Sequence, residues 1–227
     1  MEIAVLGTGM VGQTLARGFA GLGHDVVVGT RDPAVTLART EGDAMGPPPY
    51  ATWQAENPGV RLVPFAEAGT HGQVVVNATS GTASLAVLQA VGADRLAGRV
   101  LLDVANALDH SSGFPALAVA NTDSLAEQIQ RAFPGTHVVK ALNTVNCRVM
   151  VDPAQLPEAH DAFVAGDDAA AKETVVGLLH ALGWAPGHVL DLGGLRAARG
   201  MEMYLPLWIS LMQQLGTSAF NVRVVRG

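Results

Sequence analysis

The sequence predicts an α/β fold: a doubly wound parallel sheet with a small C-terminal α/β domain. Three observations predict it. Short apolar runs alternate with helix-period segments along most of the chain. The first run, Ile3 to Leu6, passes directly into Gly7-Thr8-Gly9-Met10-Val11-Gly12. Inner runs such as Gln73 to Asn77 are apolar without alternation, as strands covered on both faces are.

The opening stretch carries the most information. Strand, glycine-rich turn, helix and second strand (His24 to Val28) form the context in which a G-x-G-x-x-G pattern binds a dinucleotide, the Rossmann arrangement. Gly7 permits the tight turn, Gly9 lets the backbone approach a pyrophosphate, and Gly12 lets the helix pack against the strand. The helix start offers free amides and a positive dipole end. Val11, Leu15, Phe19 and Leu22 share one helical face, and Gly21 and Gly23 can stop the helix.

The end of the second strand selects the nucleotide. An NAD site usually has an acidic residue about twenty residues on, bonded to the ribose 2′-hydroxyl. Here Gly29-Thr30-Arg31 stands there, and a hydroxyl with a guanidinium fork suits a 2′-phosphate, so the expectation is NADP. Asp32 competes: a register shift of two would make it the ribose acid, whereas Pro33 after it marks it as a helix N-cap.

Composition sets outer bounds. The 227 residues are 49% hydrophobic and 15% charged, enough for a sizeable core, with net charge −6 and no basic run. Nucleic acid is therefore not an expected partner. No apolar stretch reaches the roughly 18 residues of a membrane span, and a strand at the N-terminus leaves no room for a signal peptide. Cys147 is the single cysteine, which excludes an internal disulfide. The expected location is the cytoplasm.

Further along, a helix is expected over Ala34 to Thr40, a break at Gly46-Pro47-Pro48-Pro49 and a short helix from Thr52 to Glu56. Val60 to Val63 reads as a strand and Phe65 to Thr70 as a helical turn. The fourth strand, Gln73 to Asn77, exits through Ala78-Thr79-Ser80, at the ligand crevice of an open α/β sheet. Thr79 or Ser80 can cap the helix Ser84 to Val91 and face a nucleotide as well. The fifth strand, Arg99 to Val104, ends in Asp103. A catalytic role competes there with a tie to nearby backbone amides, and the tie is favoured. Leu108 to Ala118 reads as loop, and Thr122 or Asp123 as the cap of a helix from Ser124 to Phe133.

The sixth strand begins at His137 and exits through Ala141, Asn143 and Thr144, where a nicotinamide or substrate can meet them. Lys140 within it either pairs with a carboxylate at the sheet's edge, the favoured reading, or faces a ligand, because an unpaired buried ammonium is costly. Beyond residue 146 come a strand (Asp161 to Gly166), a helix (Asp167 to Leu182) and a strand (Gly187 to Leu192). A long helix from Leu195 to Leu215 follows, broken by Pro206, with apolar residues on two faces. A terminal strand is expected over Phe220 to Val225. The domains are thus 1–146, binding the nucleotide, and 147–227, for substrate and dimerisation. The seven histidines lack metal-ligand spacing, and no Ser/His/Asp or Cys/His set stands out.

Gly7 to Ala16, Gly23 to Arg31, Lys140 to Thr144, Ala165 to Asp168 and Leu192 to Arg199 together resemble the NADP oxidoreductase, coenzyme F420-dependent, family. That family includes the cytosolic reductase domain of the six-transmembrane metalloreductases. The resemblance implies Thr8, Gly9, Met10 and Val11 at the pyrophosphate and Thr30 and Arg31 at the 2′-phosphate. It implies Ala78 and Ala141 along the ribose path. With Gly7, Gly12, Thr79, Ser80 and Asn143 these complete the candidate nucleotide site. Deazaflavin reductases of the family have a proline and an aromatic residue where this chain has Ser80-Gly81. They have a histidine where it has Asn143, as the metalloreductase domains do.

The implied activity is hydride transfer between NADPH and a small planar acceptor, with coenzyme F420 leading. A flavin, a ferric complex or a carbonyl or imine compound is the alternative, and a non-catalytic NADP-sensing module the contrast. Stacking geometry alone can serve hydride transfer, which suits a chain with no identified catalytic set. A homodimer is expected.

Overall fold

In the computed structural model, residues 1–42, 46–111 and 113–227 are described. A parallel sheet of six strands forms the frame: β1 (Glu2–Leu6), β2 (Asp25–Thr30), β3 (Arg61–Pro64), β4 (Val74–Asn77), β5 (Val100–Asp103) and, after a short antiparallel pair, β8 (His137–Ala141). Their spatial order is β3-β2-β1-β4-β5-β8, the two-halved order that puts a crevice at the carboxyl edge beside β1 and β4. Residues 3–6, 26–28 and 74–76 are all at most 2% exposed, which is why these strands read as unbroken apolar runs.

Helices cover both faces. On one lie α1 (Met10–Gly21), α8 (Cys147–Val151) and α9 (Ala169–Ala181), burying Leu15, Phe19, Val149 and Leu178. On the other lie α4 (Phe65–His71), α5 (Ser84–Val91), α6 (Ala93–Leu96) and α7 (Leu125–Ala132), burying Ala68, Leu88, Leu96 and Ile129. Two further helices, α2 (Pro33–Leu37) and α3 (Tyr50–Glu56), follow β2. Asp32 caps α2, accepting from the Val35 amide at 3.1 Å, as Pro33 after it predicts.

Several local expectations are corrected. Within Leu108 to Ala118, Leu108–Asp109 (β6) pairs with Ala116–Leu117 (β7), too short a ladder to leave a period. The cap of α7 is Ser124, whose hydroxyl accepts from the Glu127 amide, and not Thr122 or Asp123. Neither Thr79 nor Ser80 caps α5, because a 3-10 turn over Gly81–Ala83 precedes it. Residues 220–225 form no strand. The Asp161 carboxylate takes the Val224 amide at 2.6 Å, so a side chain replaces a ladder partner there.

Past residue 146 the chain returns to the same sheet. Strands β9 (Ala162–Gly166) and β10 (Val189–Asp191) extend it beyond β8, with β9 antiparallel to β8. This pairing covers what would otherwise be an open edge. The long C-terminal helix is broken, as Pro206 requires, into α10 (Ala198–Met203) and α11 (Leu205–Leu215).

A buried ion cluster fixes α10 to the sheet. Lys140 Nζ lies 2.8 Å from Asp103 Oδ2 and 2.9 Å from Glu202 Oε1, with exposures of 0%, 0% and 4%. The Glu202 carboxylate also accepts the Leu125 and Ala126 amides at 2.8 and 3.2 Å, capping the start of α7. Arg199 adds a two-bond fork to Glu127 at 2.7 and 2.8 Å. Thus α10 is tied to β5, β8 and α7 at once. Lys140 pairs with two carboxylates, in the middle of the sheet and not at its edge. Burial opposes its charge, and the two carboxylates more than offset that, so its pKa lies above the usual 10.5.

Two expectations follow for stability. A Cβ on Gly12 would run into the Gly7 carbonyl, whereas one on Gly9 meets nothing within 4 Å. Gly12→Ala should therefore lower the unfolding free energy by about 1–3 kcal/mol in urea titration, with Gly9→Ala near wild type; equal midpoints would contradict this packing. Lys140→Met leaves two buried carboxylates without their cation and should cost ~3–5 kcal/mol. Because the Lys140 pKa is raised, its contribution is complete below about pH 10.5 and fades as pH rises through the folded value. A urea midpoint unmoved by Lys140→Met at neutral pH would contradict the clamp.

Candidate functional site

The turn after β1 has the form its glycines predict. Gly7 adopts φ +117°, donates to Gly29 O at 3.1 Å, and would clash through a Cβ with Ala78 O at 2.6 Å. Gly9 is the N-cap of α1 and has no side-chain cap. The bond from Gln13 N to Gly9 O is the first of the helix, which leaves the amides of Met10, Val11 and Gly12 without helical partners. This end combines free donors, a positive dipole and open space over Gly9. Gln13 Nε2 donates to Thr8 O at 2.9 Å and holds the turn in shape.

Beside the turn is a cavity of ≈ 200 Å³ whose wall includes Thr8, Gly9, Gln13, Thr36, Arg39 and Tyr50. Two of its side chains end in buried atoms without a partner, Gln13 Oε1 and Tyr50 Oη. Burial raises the Tyr50 pKa, so the phenol stays protonated as a donor. Unsatisfied buried polar atoms are costly, and a polar ligand would satisfy these. The residues present fit a nucleotide. Arg31 is exposed at the end of β2, and neither it nor Arg39 has an ion-pair partner among the described residues.

Thr30 is only 8% exposed, and its hydroxyl bonds Thr36 Oγ1 at 2.8 Å, which in turn donates to Asp32 O. Thr30 thus holds the β2–α2 corner, and its own hydrogen is spent on Thr36. Arg39 and Tyr50 were not singled out from sequence, since nothing in their spacing from Arg31 marks them. They reach the site through the fold of α2 and α3.

The neighbouring strand exits are tightly bonded. Asn77 Nδ2 donates to Asp103 Oδ1 at 2.8 Å and to Ser84 Oγ at 2.9 Å, and Thr79 Oγ1 donates to Asn77 Oδ1 at 2.7 Å. Asp103 also accepts the Ala105 amide at 3.3 Å, so it ties backbone and lysine and is wholly buried. Gly81 packs so closely on the Asn106 backbone that a Cβ would overlap it, so only glycine fits there. Ser80 is exposed, Ala78 and Thr79 are half-buried, and Ala141 is fully buried, with no surface facing the crevice.

At the far end, Asn143 Nδ2 donates to Met201 O and to Asn106 Oδ1, both at 3.0 Å, joining α10 to the exits of β5 and β8. A mainly apolar cavity of ≈ 170 Å³ opens between Thr144, Phe163, Leu192, Gly200, Met201 and Tyr204. No group of three His, Cys, Asp or Glu able to hold a metal occurs among the described residues. Nor is any helix among them long and apolar enough to cross a membrane.

Residues 2–107 match the family described as NADP oxidoreductase coenzyme F420-dependent. A crystal structure from Arthrobacter sp. FB24, of a candidate F420-dependent NADP reductase, shares 52% identity over the whole of both chains, with a TM-score of 0.95. The F420-dependent NADP reductase of Methanothermobacter thermautotrophicus is 29% identical over 93% of this chain and 89% of its own length. Metalloreductase STEAP3 of Rattus norvegicus is 28% identical over 91% of this chain, which spans only 38% of that protein. The chain belongs to the NADP oxidoreductase, coenzyme F420-dependent, family and is an NADP-dependent oxidoreductase.

Proposed function

We propose that this protein transfers hydride between NADPH and coenzyme F420. The observation that carries the reading is a crevice with two unlike ends. One has free helix amides with Arg39 on the cavity wall and Arg31 just past the end of β2, suited to phosphates. The other is a small, mainly apolar cavity against α10. In this reading Thr8 to Val11 hold the pyrophosphate, and Arg31 and Arg39 meet the 2′-phosphate. Thr30 shapes that corner without giving its proton. Ala78, Thr79 and Ser80 border the middle of the crevice.

NADPH, when bound, supplies the hydride. The chain's own contribution is positional: the Lys140 cluster and Asn143 hold α10 where it walls the acceptor side. Reduction of a flavin is the second reading, because a mainly apolar cavity of ≈ 170 Å³ takes the edge of either tricyclic ring. The reading also includes a cytoplasmic setting, matching the single Cys147, and pairing of two copies through α11, whose Leu207 and Leu215 are each 56% exposed.

Anaerobic mixing of the protein with NADPH and oxidised coenzyme F420 should bleach the deazaflavin absorbance catalytically; bleaching of FMN alone would transfer the assignment to flavin. Arg31→Ala and Arg39→Ala should each weaken NADPH about ten- to a hundredfold in fluorescence titration and leave NADH unchanged. Equal losses for both nucleotides would remove these arginines from the 2′-phosphate.

A further inference from the structure

The cavity against α10 contains a polar pair that the fold does not use. Thr144 is 2% exposed, and its Oγ1 has no hydrogen-bond partner. The Tyr204 hydroxyl, from the residue joining α10 to α11, is likewise buried and unpartnered. Both line the same ≈ 170 Å³ cavity, whose other walls are Phe163, Leu192, Gly200 and Met201. A buried hydroxyl loses its water and gains nothing unless a partner arrives, so two on one cavity wall point to a visiting ligand. Pockets that enclose whole drug-sized ligands run from about 300 to 1,000 Å³, so this one takes an end of a molecule and not all of it.

We propose that Thr144 and Tyr204 anchor the hydride acceptor, admitting the edge of a planar, largely apolar ring that carries a carbonyl oxygen or ring nitrogen. The proposal rests on the hydride-transfer reading above. Thr144 follows the carboxyl end of β8, on the crevice edge, so a ring anchored there lies on the nicotinamide side. Either hydroxyl can donate to the ring heteroatom, and the apolar walls exclude competing water. The anchor selects acceptors by one polar edge and discriminates against wholly apolar or multiply charged ones.

Tyr204→Phe and Thr144→Val keep shape and remove only the unpartnered atoms. With coenzyme F420 and FMN as probes, each variant should raise the acceptor KM at least fivefold for whichever probe wild type turns over. NADPH affinity should be unchanged and the thermal midpoint equal or higher, since an unsatisfied hydroxyl is gone. Thr144→Ser, which restores a hydroxyl, should return KM toward wild type and covers the case in which Thr144→Val misfolds. Turnover by wild type with KM in both hydroxyl-less variants within twofold of it would overturn the anchor and leave the hydride-transfer reading standing. Absence of wild-type turnover with either probe would sink both.

Discussion

The buried ammonium of Lys140 is the point on which the placement of the C-terminal helix depends. A charge with no exposed surface must be neutralised inside, and Asp103 and Glu202 do so from two different parts of the chain. Asp103 belongs to the sheet and Glu202 to the C-terminal helix, so neutralising the charge also decides where α10 sits. Glu202 in addition caps α7, and Asn143 bonds the carbonyl of the adjacent Met201. The cost of breaking such a cluster exceeds its net worth over an apolar replacement, which makes it a device of position more than of stability.

Around that fixed helix the crevice is organised by polarity. At β1 the backbone supplies donors, because Gly7 and Gly12 bring the strand and helix too close for side chains and Gly9 is bare. At β8 side chains supply an apolar cavity with two hydroxyls. Between them the exits of β4 and β5 are saturated by Asn77, Thr79, Ser84 and Asp103 bonding one another. This middle stretch is stiff. In the proposed reading, hydride transfer needs two rings held in register more than it needs an acid or base, and these hydrogen bonds fix the strand exits where that register would be set.

Much of this was legible in the sequence. The strand, glycine turn and helix at residues 2 to 21 follow from local patterning, and Pro33 after Asp32 foretold the cap of α2. The strand runs of β4, β5 and β8 were readable because burial on both faces leaves no alternation. What escaped has a common physical cause: partners chosen by tertiary approach. Glu202 stands 62 residues from Lys140 and carries no motif. Arg39 and Tyr50 enter the nucleotide side only after α2 and α3 fold back. Thr30 was legible as a polar residue at the end of β2, but not its bond to Thr36 six residues on. The terminal alternation at Phe220 to Val225 resembled a strand until the Asp161 carboxylate claimed its amide. Ala141 lies at the right strand end and is nonetheless sealed beneath the surface.

In the proposed reading, hydride passes directly from NADPH to a ring held against α10. A single anaerobic turnover with NADPH carrying deuterium on both faces of the nicotinamide C4, and coenzyme F420 as acceptor, reads this out. Mass spectrometry of the reduced deazaflavin should find the deuterium on its ring carbon in stoichiometric yield. Reduced product without deuterium, its label lost to solvent, would contradict direct transfer.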